Sequence, residues 1–122
     1  MKISLNKNQK INQIQQEFNS FFPYLKIEFF NSLHKIGDVT ANKFMIENNK
    51  VIGEYIKNGE IENMAIDPKM TVSNFEENFK KLGIGVQVYR KSGNLWLETG
   101  ATDSWTLEVQ NQEGESITNQ YN

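Results

Sequence analysis

One hydrophobic pattern occurs twice in this chain of 122 residues, at positions 61 residues apart. In each copy, apolar residues alternate with polar ones, then recur at spacings of three and four, and then alternate again. Alternation is typical of a half-buried strand, whereas the wider spacing places side chains on one face of a helix. The pattern therefore predicts two strand–helix–strand units. The matching positions are Ile3, Leu5, Ile11, Ile14, Phe18, Phe21, Leu25 and Ile27, and then Met64, Ile66, Val72, Phe75, Phe79, Leu82, Val86 and Val88.

The first unit is bounded by a proline. A strand over residues 2–5 precedes a helix that begins near Gln9. The helix must end before Pro23, because the residue preceding a proline is pushed out of the helical conformation. Residues 25–29 then alternate as a strand.

Candidate capping residues mark both ends of the helix in the second unit. After a strand over residues 61–66, either Thr71 or Ser73 can cap the helix, and Ser73 with Glu76 fits a capping box. Gly83 suits the left-handed residue that often ends a helix, and a strand follows from residue 84.

The last part of the chain predicts a hairpin and a tail. Ser92-Gly93 is a two-residue hairpin turn in this interpretation, and residues 94–99 form the returning strand. A short helix is expected over 105–110. The polar residues 114–122 are expected to be a frayed tail, so the folded domain is predicted to comprise residues 1–113.

This order of elements predicts an α+β protein. A two-layer sandwich, with two helices packed on one face of a mostly antiparallel sheet, accommodates it. The β-α-β repeats favour a ferredoxin-like arrangement within that class.

Composition narrows the function classes. Apolar residues make up 38% of the chain and charged residues 23%, as in ordinary folded proteins. The net charge of −2 argues against a purely electrostatic nucleic-acid binder. The chain has no cysteine and no apolar run long enough for a signal peptide or a membrane span, so we expect a cytoplasmic location.

The sequence contains no recognisable catalytic constellation. His34 is the only histidine and falls in a predicted loop, while Glu76 and Glu77 suit the dipole near a helix start. The glycines Gly83 and Gly85 follow a helix and precede a strand, which is the reverse of a phosphate-binding loop. We therefore expect a protein that is not an enzyme and that binds neither metal nor cofactor.

Three segments carry a resemblance. They are FPYLKIEFF at 22–30, VQVYRKSGNLWLET at 86–99 and ATDSWTLE at 101–108. Together they resemble a family of small uncharacterised bacterial proteins of similar length. The resemblance implies no activity, ligand or catalytic residue.

Aromatic residues provide the main functional lead. A Ser92-Gly93 turn would place Tyr89 opposite Trp96, and Val88 opposite Leu97 on the side of the helices. Phe30 follows the inward-pointing Phe29. The face away from the helices should then carry Phe30, Tyr89 and Trp96.

Three interpretations of this aromatic face remain open. The middle segment or residues 105–107 could cover it as a second small core. It could bind another protein or a second copy of the chain, since Trp, Tyr, Phe and Arg are favoured at interfaces. It could also stack the bases of single-stranded nucleic acid.

The function predicted from the sequence is that of a binding or accessory protein. It would present one sheet face or edge to a protein partner through Phe30, Tyr89, Arg90 and Trp96, with Trp105 as a lid. The alternative is a single-stranded nucleic-acid-binding module that uses the same aromatics with three lysines, Lys80, Lys81 and Lys91.

Overall fold

The structure, a computed structural model, describes residues 3–31 and 41–120. Four short 3-10 helices connect the main elements, at Ala41–Phe44, Ile52–Glu54, Ile61–Asn63 and Gly100–Thr102. The predicted α+β class is confirmed. His34 and the loop predicted around it lie outside the described residues. The main elements are α1 (Ile11–Phe21), β1 (Leu25–Phe30), α2 (Val72–Lys81), β2 (Gly85–Ser92), β3 (Leu95–Glu98) and α3 (Leu107–Gln120).

The strands form an antiparallel sheet in the order β1-β2-β3. Ile27 lies opposite Val88, and Arg90 lies between Leu25 on one side and Leu97 on the other. Cross-strand partners share a face, so the register divides the side chains between two faces. We call these the helix side, which carries Ile27 and Val88, and the outer face.

Helices α1 and α2 cover the helix side with most of the predicted apolar stripes, but Phe21 at the end of α1 is 37% exposed and the buried Leu82 caps α2 from outside the helix. Phe18 of α1 contacts Phe75 of α2 with ring centroids 5.3 Å apart, and Phe29 of β1 contacts Phe79 of α2 across the two layers with centroids 5.2 Å apart. Each large side chain buried in this way contributes about 1.5–3 kcal/mol to folding. Both predicted helices pack on this face, but α3 packs on the same side through Arg90, so the described residues place three helices there and not the predicted two. The buried stripe residues are Ile11, Ile14 and Phe18 in α1, and Val72, Phe75 and Phe79 in α2.

A threonine precedes each of α2 and α3, and these two threonines lie next to each other. Thr71 and Thr106 form an isolated antiparallel bridge. The Thr71 hydroxyl accepts a hydrogen bond from the Asn74 N–H at 3.1 Å, and the Thr106 hydroxyl accepts one from the Val109 N–H at 3.1 Å. Each hydroxyl satisfies an N–H that the helix itself leaves unpaired. Thr71, not Ser73, is therefore the cap of α2.

The strands predicted over 2–5 and 61–66 are not formed by the described residues. Ile3 and Leu5 are buried without strand pairing, and Ile61–Asn63 is a 3-10 helix. Their apolar alternation is satisfied by burial in the core, not by a ladder. The ferredoxin-like prediction rested on a β-α-β repeat, and the first strand of each repeat was predicted wrongly. The unit that does repeat is a helix followed by a strand.

The predicted polar tail is also wrong for residues 114–120. Helix α3 continues to Gln120, and its Gly114 and Thr118 are buried. A Cβ on Gly114 would come within 2.9 Å of the Tyr24 Cβ, so only glycine allows this approach to β1. Small and polar residues face the sheet, which is why the helix lacked an apolar stripe. The helix predicted from residue 105 begins at Leu107.

No helix in the described parts of the chain combines the length and the apolar character that crossing a bilayer requires.

Candidate functional site

The hairpin between β2 and β3 turns at Gly93 and Asn94. Ser92 pairs with Leu95, and Gly93 has a φ of 63°. Glycine at the first central position of a two-residue turn is the arrangement that suits a positive φ there. The predicted Ser92-Gly93 turn is therefore wrong by one residue.

This turn shifts the predicted register. Trp96 lies opposite Lys91, Tyr89 lies opposite Glu98, and Arg90 takes the place predicted for Val88 opposite Leu97. The shift amounts to two residues along β2, and side chains alternate with a period of two. Tyr89 and Trp96 therefore stay on one face although they are not directly opposed.

The register places Phe30, Tyr89 and Trp96 on the outer face, but Phe30 lies opposite Gly85, four residues along β2 from Tyr89, so the three rings do not form one cluster. Phe30 is only 2% exposed, and Tyr89 and Trp96 are half-buried. Gln87, between them on the same face, is buried and donates to the Val88 carbonyl at 2.8 Å. The face is thus not an open aromatic platform.

Lys26 occupies the space between the two half-buried rings. Its Nζ lies 5.3 Å from the centroid of the Tyr89 ring and 5.3 Å from that of the Trp96 ring. Glu28 is 3.9 Å from the same ammonium. A cation over an aromatic face is attracted by the ring quadrupole. A nucleobase would have to displace Lys26 before it could stack on these rings.

Burial and neighbouring charge keep the Tyr89 phenol protonated. Loss of solvation is the main cause that raises the pKa of Tyr89 to about 12, and the carboxylates of Glu98, Glu28 and Glu76 add to it. The hydroxyl therefore remains neutral at physiological pH.

Arg90 and Trp105 lie on the helix side, apart from the other predicted site residues. The Arg90 Nη1 donates to the Gln110 Oε1 at 2.9 Å, and its Cζ lies 5.6 Å from the Trp105 ring centroid. The buried Gln110 amide also donates to the Thr102 carbonyl at 2.8 Å. Arg90 holds α3 on the sheet, and Trp105 is not a lid over the outer face.

One edge of the sheet is closed by side chains of α1. The Gln15 amide donates to the Ile27 carbonyl at 2.8 Å, and the Asn19 amide donates to the Leu25 carbonyl at 2.9 Å. Further along β1, the Ile46 N–H donates to the Phe29 carbonyl at 2.8 Å. These bonds fill the positions that another strand would use.

The opposite edge, along β3, is open. The Val88 backbone points toward β3, because its N–H donates to Glu76 at 3.2 Å and its carbonyl accepts from the Thr99 hydroxyl at 2.9 Å. By alternation, Leu97 pairs inward with Arg90, so the backbone groups of Trp96 and Glu98 point outward. Within residues 3–31 and 41–120, nothing pairs with these outward groups.

Two exposed leucines flank this open edge. Leu95 is 66% exposed and Leu97 is 41% exposed, both on the helix side of β3. The sequence predicts Leu97 opposite Val88 and facing the helices; it does lie on that side, but opposite Arg90 and exposed, and Leu95 has no predicted role. The signal for them was Leu95-Trp96-Leu97, since consecutive apolar residues put apolar side chains on both faces of a strand.

Among the carboxyl groups of the described residues, Glu76 has the most strongly shifted pKa. It is half-buried where β3 stops covering β2. Loss of solvation raises the pKa of Glu76 to about 7, with a smaller contribution from Asp103, while the hydrogen bond from Val88 opposes the shift. No set of acidic or histidine side chains within the described residues is arranged to hold a metal ion.

Comparisons with protein-family models, with curated proteins and with solved structures found no match to this chain.

Proposed function

We propose that the protein is a protein-binding module that accepts an extended segment of its partner as an additional strand beside β3. The observation that carries the proposal is the difference between the two sheet edges. Side chains and the Ile46 backbone close the edge of β1, whereas no described residue pairs with the outward groups of Trp96 and Glu98. An unpaired strand edge is a template for another strand.

Strand addition uses two sources of affinity. Main-chain hydrogen bonds to the outward groups of β3 provide a sequence-independent part, and side chains at alternate positions provide specificity. Leu95 and Leu97 offer apolar contact on the helix side, and Trp96 offers it on the outer face. The binding surface is therefore β3 with its flanks, and Phe30 and Arg90 support the sheet behind it.

Three expectations from the sequence form part of this proposal: the protein is not an enzyme, it needs no cofactor, and it works in the cytoplasm. Membership of the family of small bacterial proteins also remains a prediction.

Geometry lends no support to the nucleic-acid alternative. Lys80 and Lys81 are exposed at the end of α2, which packs on the helix side. They are therefore separated by the sheet from Tyr89 and Trp96, and only Lys91 lies opposite Trp96 on the outer face.

Short random peptides on an array test the proposed function. Peptides with alternating apolar residues should bind, and in amide NMR spectra of the labelled protein the largest shifts should fall on the N–H groups of Trp96 and Glu98. Leu95→Lys combined with Leu97→Lys should abolish binding of the protein to these peptides. Val109→Lys, a matched change at a 44% exposed site on α3, should leave peptide binding intact. Binding that shifts only amides elsewhere would refute the proposal.

A further inference from the structure

We propose that the strand that pairs with β3 is β3 of a second copy of this chain, so that the sheets of two subunits join edge to edge. This inference rests on the proposed function and names its partner. Closed homodimers use the same surface on both subunits, so the edge must be complementary to itself. The sequence and exposure of β3 meet that requirement.

Symmetry permits few registers for the junction. A two-fold axis perpendicular to the joined sheet pairs residues of the same face, so an antiparallel junction must be centred on a single residue. Centring on Leu97 would place Leu95 opposite Thr99 of the other copy. Thr99 has left the strand, with φ −99° and ψ 18°, and its hydroxyl is bonded to Val88. Centring on Trp96 pairs Leu95, Trp96 and Leu97 with strand residues of the other copy, and only Glu98 faces a turn residue, Asn94.

The Trp96-centred register matches the exposed groups. The outward N–H and C=O of Trp96 face the same groups of the other copy, which is a hydrogen-bonded antiparallel pair. Leu95 of each copy lies opposite Leu97 of the other copy, so both exposed leucines gain apolar partners.

Charge also favours self-pairing. Glu98 is the single charged residue within β3, and in this register it lies opposite Asn94 of the other copy. No two like charges are directly opposed, an arrangement that would be destabilising. Lys91 stays opposite Trp96 inside each subunit. Because β3 is only four residues long, the interface is small and the dimer should depend on concentration.

Analytical ultracentrifugation of the full chain, from about 10 µM to about 1 mM, tests the inference in the range of weak interfaces. The wild type should shift from monomer to dimer. Leu95→Lys with Leu97→Lys opposes like charges and should raise the dissociation constant by at least about tenfold. Leu95→Lys with Leu97→Glu places opposite charges together in the same register and should retain the dimer.

A wild type that stays monomeric overturns the inference, as does a dimer that tolerates both double variants or neither. If the double-lysine variant does not fold, hydrogen exchange on the wild type decides. Protection of the Trp96 and Glu98 amides must rise with protein concentration. A monomer whose β3 still binds array peptides would refute self-pairing alone, whereas a monomer that retains no peptide would refute the proposed function as well.

Discussion

Ile27 lies directly opposite Val88, the residue 61 positions later in the chain. The centres of the two repeated helix–strand units therefore pair with each other, and a local two-fold axis passes between them. Equivalent residues of the preceding helices α1 and α2 are also 61 positions apart. Gln15 in α1 donates to the Ile27 carbonyl, and Glu76, also 61 positions later than Gln15, accepts from the Val88 N–H. One amide and one carboxyl thus serve equivalent positions with opposite hydrogen-bonding roles.

Replacing Glu76 with glutamine should remove a pH dependence of stability. The pKa of Glu76 is raised from 4.5 unfolded to about 7 folded, so the folded protein binds more protons between these values. The stabilisation is complete below about pH 4.5 and is lost as the pH rises to about 7. Urea unfolding should show a loss of about 1–3 kcal/mol between pH 5 and pH 8 that Glu76→Gln abolishes.

The exposed neighbour provides the control for this measurement. Glu77→Gln makes the same chemical replacement at the adjacent, exposed position of α2 and should keep the wild-type pH profile. Identical profiles for the two variants would show that another group causes the pH dependence.

Gly114→Ala should destabilise the protein by about 1–3 kcal/mol, the usual range for overpacking a well-filled site. The added Cβ would meet the Tyr24 Cβ at 2.9 Å and the Arg90 Cγ at 3.1 Å, which outweighs the gain of about 1 kcal/mol in helix propensity. Thermal or urea unfolding measures the difference. Gly100→Ala, where a Cβ meets nothing within 4 Å, is the matched control and should be close to neutral. A stabilised Gly114→Ala variant would contradict the close docking of α3.

Thr71→Ala should cost about 1 kcal/mol, the typical value for loss of a helix N-cap. The Thr71 hydroxyl accepts from the Asn74 N–H, whereas Ser73 is an exposed residue in the first turn. Ser73→Ala should therefore leave the free energy of unfolding nearly unchanged. Equal losses in the two variants would mean that both hydroxyls cap the helix.

Gln110→Leu should destabilise the fold by about 2–3 kcal/mol. The side chain is fully buried and accepts from Arg90 while it donates to Thr102, so leucine leaves polar groups of both without a partner. Gln112→Leu, at an exposed position of the same helix, is the control and should change stability little. Indistinguishable unfolding curves for the two variants would show that the Arg90–Gln110 bond contributes nothing.

The residue pattern alone determined the repeated helix–strand units, the apolar stripes and the α+β class. Apolar residues at helical spacing, such as Ile14 and Phe75, share one face of a helix, and burial of that face is favourable whatever surrounds it. The shared face of Tyr89 and Trp96 followed for a similar reason, because a slip of two residues leaves the face of a strand unchanged.

Tertiary structure alone decided the edges of the sheet and the place of α3. Whether Ile3 and Leu5 pair as a strand depends on the free edge of β1, which the α1 amides occupy. Whether residues 114–120 form a helix depends on Gly114 meeting Tyr24, a contact between distant parts of the chain. Local periodicity does not predict such contacts, because they arise only when elements far apart in the chain compete for the same surface.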